Sequence, residues 1–188
     1  MEENPLLTLI KEGKIELSQD GRIIGFNESA ILLPVRTLNR LLILLKEDVG
    51  ESKTRDLLKE IGKFQVKQAF RRYTKTLKWD FLPKERILEF IKKLAICMGF
   101  GKYEIRKTKE DNKYTISTSK TPFAEEFLLE YGKQNTPIDF YLAGIWEEVF
   151  SGILGKPMIC EEVKCYAKGD DCCEFVVKPK EETEEKKE

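Results

Sequence analysis

The chain has 188 residues, 41% of them apolar, and its 33 basic residues balance 33 acidic ones for a formal net charge of zero. That length bounds one domain with small appendages, and the balance argues against holding nucleic acid or anionic membrane by bulk charge. Histidine is absent, which removes the common metal ligand, the usual proximal haem ligand and the usual neutral-pH general base, and with it Ser-His-Asp and Cys-His chemistry.

No run of 18 apolar residues occurs, so no membrane span is expected. The acidic start Met1-Glu2-Glu3-Asn4-Pro5 lacks a signal-peptide pattern, and a cytoplasmic chain is the expectation. In that compartment five cysteines are expected to be free, catalytic or metal-bound rather than paired.

Residues 1–20 read as an N-terminal arm with one apolar patch, Leu6-Leu7-Leu9-Ile10, and Arg22–Phe26 reads as a short strand. Pro34 opens a helix striped by Leu38, Leu41, Leu42 and Leu45, which Gly50 stops. A second helix is predicted over Ser52–Leu77, with Leu57, Ile61, Phe64, Val66, Phe70, Tyr73 and Leu77 near helical spacing. Its basic half, Lys63, Lys67, Arg71, Arg72 and Lys75, reads as a solvated face with cations near the helix C-terminus, in preference to a phosphate-binding patch. A third helix starts at Pro83, buries Ile87, Phe90, Ile91, Leu94, Ala95 and Met98, and ends at Gly99; Cys97 within it reads as a small core residue.

The period then drops to two. Tyr103, Ile105 and Lys107, and after an Asp111-Asn112 turn Tyr114, Ile116 and Thr118, alternate as a hairpin. Pro122 opens a short helix to Tyr131 with an aromatic stripe. Thr136-Pro137-Ile138-Asp139 reads as the start of the last helix, Thr136 as N-cap and Pro137 at the first helical position, and Gly155 ends it. The last hairpin covers 157–178, with Lys168-Gly169-Asp170 supplying the turn. A turn centred on Gly169 sets Cys165 opposite Cys173, on one face of the ribbon. Such a pair forms half of a tetrahedral zinc site or closes a cross-strand disulfide. The tail 179–188 is charged, has nothing to bury and should be disordered. The expected organisation is an arm over 1–20, one domain over 21–178 and the tail. The fold class is α+β: an antiparallel sheet built from hairpins, with helices packed on one face.

Asp139-Phe140-Tyr141-Leu142-Ala143-Gly144-Ile145, Ser151 through Pro157, Glu162-Val163-Lys164-Cys165-Tyr166-Ala167-Lys168-Gly169 and Cys173-Glu174-Phe175 resemble the 4-vinyl-reductase, or hydrocarbon-binding, domain family. The resemblance implies a fold shared with haem nitric-oxide sensors and vesicle-tethering (TRAPP) subunits, and with sensor domains of aromatic-responsive transcription activators. In those sensors a helix-start cysteine, a glutamate and two cysteines hold zinc. Carried over by position, Glu162, Cys165 and Cys173 match three of these ligands, and Asp139 stands where the first cysteine falls. A carboxylate in that place weakens a thiolate-rich site. Other readings stay open. Asp139, three residues after Thr136, also fits a capping box. Glu162 and Cys165 reach one metal only if a bulge separates them, and otherwise Glu162 is a surface carboxylate. Cys165 and Cys173 also fit an apolar pair or a disulfide. Cys160 has no assigned place.

The family implies a cytoplasmic binding or sensing domain for a small apolar or aromatic ligand. Its zinc is structural because four protein ligands leave no open position. The implied assembly is a homodimer, with output through a signalling partner. Phe64, Phe70, Phe90, Phe123, Phe127, Tyr141, Trp146 and Phe150 supply aromatic surface for a cavity or simply fill the core. The activators' phenol-sensing residues include a histidine and do not map here. Two alternatives are a reductase of vinyl groups in tetrapyrrole-like substrates, for which no flavin or nicotinamide motif is present, and a TRAPP-like assembly subunit.

Overall fold

The computed structural model describes residues 4–77, 82–109 and 112–180, without the side chains of 72–77. The acidic tail beyond Lys180, Asp111 of the expected turn, and the side chains of Tyr73 and Leu77 lie outside the described residues. An N-terminal unit comes first: helix α1 (Pro5–Lys11) and strands β1 (Ile15–Leu17), β2 (Ile23–Gly25) and β3 (Glu28–Ala30) in an antiparallel meander. The arm read from the sequence is therefore structured in part. Asn4 caps α1 by accepting the Leu6 N–H at 3.0 Å. Phe26 and Asn27, both at positive φ, form a two-residue hairpin loop between β2 and β3.

Helices α2 (Val35–Val49), α3 (Glu51–Leu77) and α4 (Lys84–Cys97) follow. Pro34 and Pro83 stand at the N-cap positions, one residue before the first helical turn. Strands β4 (Glu104–Lys107) and β5 (Tyr114–Thr118), helices α5 (Pro122–Tyr131) and α6 (Phe140–Leu154), and strands β6 (Met158–Lys164) and β7 (Cys173–Pro179) complete the fold. The second sheet has the antiparallel order β4-β5-β7-β6. The expected α+β class is the observed one.

Alternation along β5 and β7 puts Ile116, Phe175 and Val177, all fully buried, on the face toward the helices. Helix α6 lies on that face, with Leu142, Trp146, Val149, Phe150 and Ile153 buried. The ring of Tyr114 lies 4.6 Å from that of Phe150, and that of Tyr103 lies 5.0 Å from Trp146.

Helix α3 packs on the outer side of α6 through glycines. A Cβ at Gly144 would stand 2.1 Å from the Lys59 carbonyl oxygen, and one at Gly62 would stand 2.2 Å from that of Tyr141. The buried face of α3 is accordingly Leu58, Gly62 and Val66, while Leu57, Ile61 and Phe64 are 37%, 51% and 61% exposed. This corrects the stripe read from the sequence: the partner helix selects the small-residue face for close approach, not the most apolar one. On α2, similarly, Leu42 and Asn39 are buried, and Asn39 Nδ2 donates to the Phe123 carbonyl at 3.1 Å, tying α2 to α5.

Candidate metal centre

Helix α6 begins at Asp139, not at Thr136. The first helical bond runs from the Ala143 N–H to the Asp139 carbonyl, at 2.9 Å. The Asp139 N–H leaves the helix altogether and donates to Glu162 Oε2 at 3.0 Å. The Asp139 side chain makes no cap bond to its own helix. Its Oδ2 instead accepts the Thr121 hydroxyl at 2.6 Å. The capping-box reading of Thr136 and Asp139 is thus overturned, because Asp139 is the cap residue and its carboxylate faces another element.

Glu162 comes from β6, where the ladder slips between Glu162 and Lys164. That irregularity is the one the sequence required if Glu162 and Cys165 were to face one point, since three residues of regular strand would set them on opposite faces. The ladder closes with Lys164 opposite Glu174. The connection beyond is wider than a tight turn on Gly169: a single 3-10 turn, Tyr166–Lys168, with Gly169 left-handed at φ 85°. Cys165 and Cys173 stand just past the last ladder pair. Asp170 Oδ2 accepts the Cys165 N–H at 2.8 Å, and Cys173 Sγ accepts the Tyr166 N–H at 3.3 Å.

These elements bring one ligand atom each of Asp139, Glu162, Cys165 and Cys173 to within 4.8 Å of one another. The edges of a tetrahedron drawn with usual zinc–sulfur and zinc–oxygen bonds are about 3.3–3.8 Å, so modest closure suffices. Asp139, Cys165 and Cys173 are buried and Glu162 is half-buried. All five cysteines are free thiols. Each carboxylate has one oxygen committed, Asp139 Oδ2 to Thr121 and Glu162 Oε2 to the Asp139 amide. The others, Asp139 Oδ1 and Glu162 Oε1, are buried without a partner.

Electrostatics mark the same point. Burial, then repulsion from Glu162 and Cys173, pushes the Asp139 carboxyl far above the usual range. Burial raises Glu162 to about 7. The hydrogen bond between the two thiols lowers Cys173 to about 6, and it raises Cys165 together with burial. Four acidic groups crowded in one desolvated spot favour either protonation or a cation. Two sulfurs and two oxygens are a donor set that a divalent ion such as zinc accepts. The residues present therefore fit the ion that the resemblance implied.

Thr121 is the residue the sequence reading passed over. It caps α5, accepting the Ala124 N–H at 3.0 Å, and is fully buried. A threonine before Pro122 at a helix start is a readable cap signal; its second bond, to Asp139, is not readable. Cys160 also has a place now: it is buried in β6, with its N–H donating to Glu147 Oε2 at 3.1 Å and its carbonyl accepting Lys59 Nζ at 2.9 Å. Cys97 and Cys172 are half-buried and stand apart from the cluster. Of the aromatics read as interior, Phe64 faces outward, whereas Phe123, Phe127, Trp146 and Phe150 are buried. The Trp146 indole N–H is buried without an acceptor.

A hairpin with two cysteines, closing over a helix start beside a four-stranded antiparallel sheet, is the arrangement expected of the 4-vinyl-reductase class of domain. Residues 123–179 match the family model of that domain, so the chain carries it across the hairpin and the two helices before it. A 41-residue segment is 44% identical to an uncharacterised protein of Methanocaldococcus jannaschii; it covers 22% of this chain and 23% of that protein. The fold is similar to that of a vinyl-4-reductase family protein of Methanocaldococcus jannaschii, at 25% identity and TM-score 0.51, over 82% of this chain and 85% of that one. It is similar, too, to the phenol-responsive sensory domain of the transcription activator PoxR in complex with phenol, at TM-score 0.75 and 17% identity, over 93% of this chain and 88% of that one. No described helix is long and apolar enough to cross a membrane.

Proposed function

We propose that this chain is a small-molecule-binding domain of the sensing type, pinned by a structural zinc ion that Asp139, Glu162, Cys165 and Cys173 hold. The observation that carries the metal is the pair of buried, unpartnered carboxylate oxygens beside two thiols. A buried polar atom left unsatisfied costs about 1–3 kcal/mol, and a cation at that point would satisfy both oxygens at once. When bound, the ion supplies charge neutralisation and a cross-link between α6 and the β6–β7 hairpin. With four protein ligands it offers no open position, so the ligand belongs elsewhere.

The ligand class is apolar or aromatic. The similarity to a phenol-responsive sensory domain supports it at the level of the fold. The interior between α6 and the sheet is rich in aromatic side chains, and the unpartnered Trp146 indole N–H offers one hydrogen bond to an acceptor within apolar surroundings. Output would pass through another protein, and a homodimer fits the exposed Leu57, Ile61 and Phe64 on α3.

Elemental analysis of protein purified without chelator tests the metal: about one zinc per chain is expected, and less than about half an equivalent rejects it. Native mass spectrometry of the same material, followed by thermal-shift titration with phenol and related aromatics, tests the receptor. An aromatic that raises the melting temperature saturably supports it, and a chain that binds none while forming a stable dimer points to an assembly subunit.

A further inference from the structure

Far from the metal centre, at the C-terminal end of α6, lies a cleft of about 440 Å3. Asp139 and Gly155 bracket α6, which puts the two features about 22 Å apart along the helix axis. The cleft lies in the size range of small-ligand sites, but its chemistry differs from that of the aromatic interior. Lys63 and Lys67 enter from α3, Lys156 from the turn after α6, and Lys180 from just beyond β7; Glu60, Glu147 and Glu148 are the acidic groups of its wall.

The acids are largely spent. Glu147 is buried beneath the cleft with both oxygens taken. Oε1 lies 2.6 Å from Lys63 Nζ, and Oε2 lies 2.7 Å from Lys59 Nζ and 3.1 Å from the Cys160 amide. Glu60 reaches Lys63 only at 3.9 Å, and Glu148 reaches Lys67 only at 3.9 Å. Burial raises the Glu148 carboxyl above its usual range in spite of Lys67. Among the described residues Lys156 and Lys180 enter no ion pair. Counting Lys59, five ammonium groups meet three carboxylates at one concave spot of a chain whose net charge is zero.

We infer that this cleft is a second ligand site, which takes a small phosphorylated molecule through Lys67, Lys156 and Lys180. Lysines act as compact point charges with rotatable donors, which suits a phosphate dianion; the planar fork that favours a carboxylate is an arginine property, and no arginine lines the cleft. Met158 and Pro157 supply a short apolar wall for the organic part. The basic half of α3, which alone reads as a solvated face, acquires its partners only when the turn after α6 and the end of β7 fold against it.

The test is isothermal titration of the full chain with glycerol 3-phosphate at low ionic strength, with glycerol as the uncharged control. Saturable one-to-one binding is expected, weakening as salt is added and absent for glycerol. The Lys156→Gln/Lys180→Gln double variant should bind at least tenfold more weakly with an unchanged melting temperature and zinc content. Lack of saturable binding by the unmodified chain, or undiminished binding by the double variant, overturns the site. None of its residues belongs to the metal centre, so its failure leaves the zinc proposal standing, and the reverse holds.

Discussion

The Thr121 hydroxyl gives its only proton to Asp139 Oδ2, at 2.6 Å, because its oxygen already accepts the Ala124 amide at 3.0 Å. One buried oxygen therefore caps α5 and aims a candidate metal ligand at the start of α6. Thr121→Val keeps the shape and removes both bonds. A loss of about 1–3 kcal/mol in urea unfolding is expected from the cap and the stranded carboxylate. Zinc affinity, read by chelator competition, should fall about 10–100-fold, the usual scale for removing the support of a ligand. Thr121→Ser should restore most of both, whereas a wholly structural Thr121 would leave zinc affinity untouched.

Asp139 occupies the position at which related sensors are expected to carry a cysteine. A soft thiolate in place of a hard carboxylate should suit zinc better beside Cys165 and Cys173. Asp139→Cys is expected to tighten zinc by on the order of tenfold, and Cys173→Ser to weaken it by at least as much. Competition against a chromophoric chelator measures both. Equal affinity in all three chains would remove Asp139 from the ligand set.

How far the sequence disclosed this structure depends on what each contact rests on. Local chemistry was legible: Pro122 and Tyr131 bound α5 as read, and the interruption needed between Glu162 and Cys165 is the observed slip in β6. Thr136 misled because Thr-Pro-x-Asp matches a cap pattern, while the decisive event is non-local, the Asp139 amide donating to Glu162, 23 residues on. The α3 stripe misled for a related reason. Leu57, Ile61 and Phe64 repeat with helical spacing, but a glycine face has no hydropathy to read until a second glycine helix is set against it.

That glycine contact predicts its own sensitivity. A methyl at Gly144 would meet the Lys59 backbone, which cannot move without displacing α3. A methyl at Gly152 would meet the Phe70 ring at 2.7 Å, and a ring can turn aside. Overpacking costs about 1–3 kcal/mol and more where backbone must shift. Gly144→Ala should therefore exceed that range or abolish folding, and Gly152→Ala should stay within it. Chemical denaturation of the two variants gives the order, and the reverse order would mean that the helices are not in backbone contact.

Glu147 links α3, α6 and β6 through Lys59, Lys63 and the Cys160 amide. Burial alone would raise its carboxyl, but the hydrogen bonds and charges of the two lysines outweigh burial and leave it below the usual value of 4.5. A carboxylate depressed on folding stabilises the folded state above its unfolded pKa, and the gain is lost as pH falls through the folded value. Glu147→Gln should therefore cost about 2–4 kcal/mol near pH 7, where a half-buried pair of lysines loses its counter-charge. The gap from the unmodified chain should hold down to about pH 5 and close as the medium becomes more acidic than the depressed carboxyl, because the protonated glutamic acid then resembles the amide. Unfolding free energies of both chains from pH 7 to pH 3 measure this. A gap that persists unchanged into acid would mean that the amide fails for its shape, and that the ion cluster contributes little.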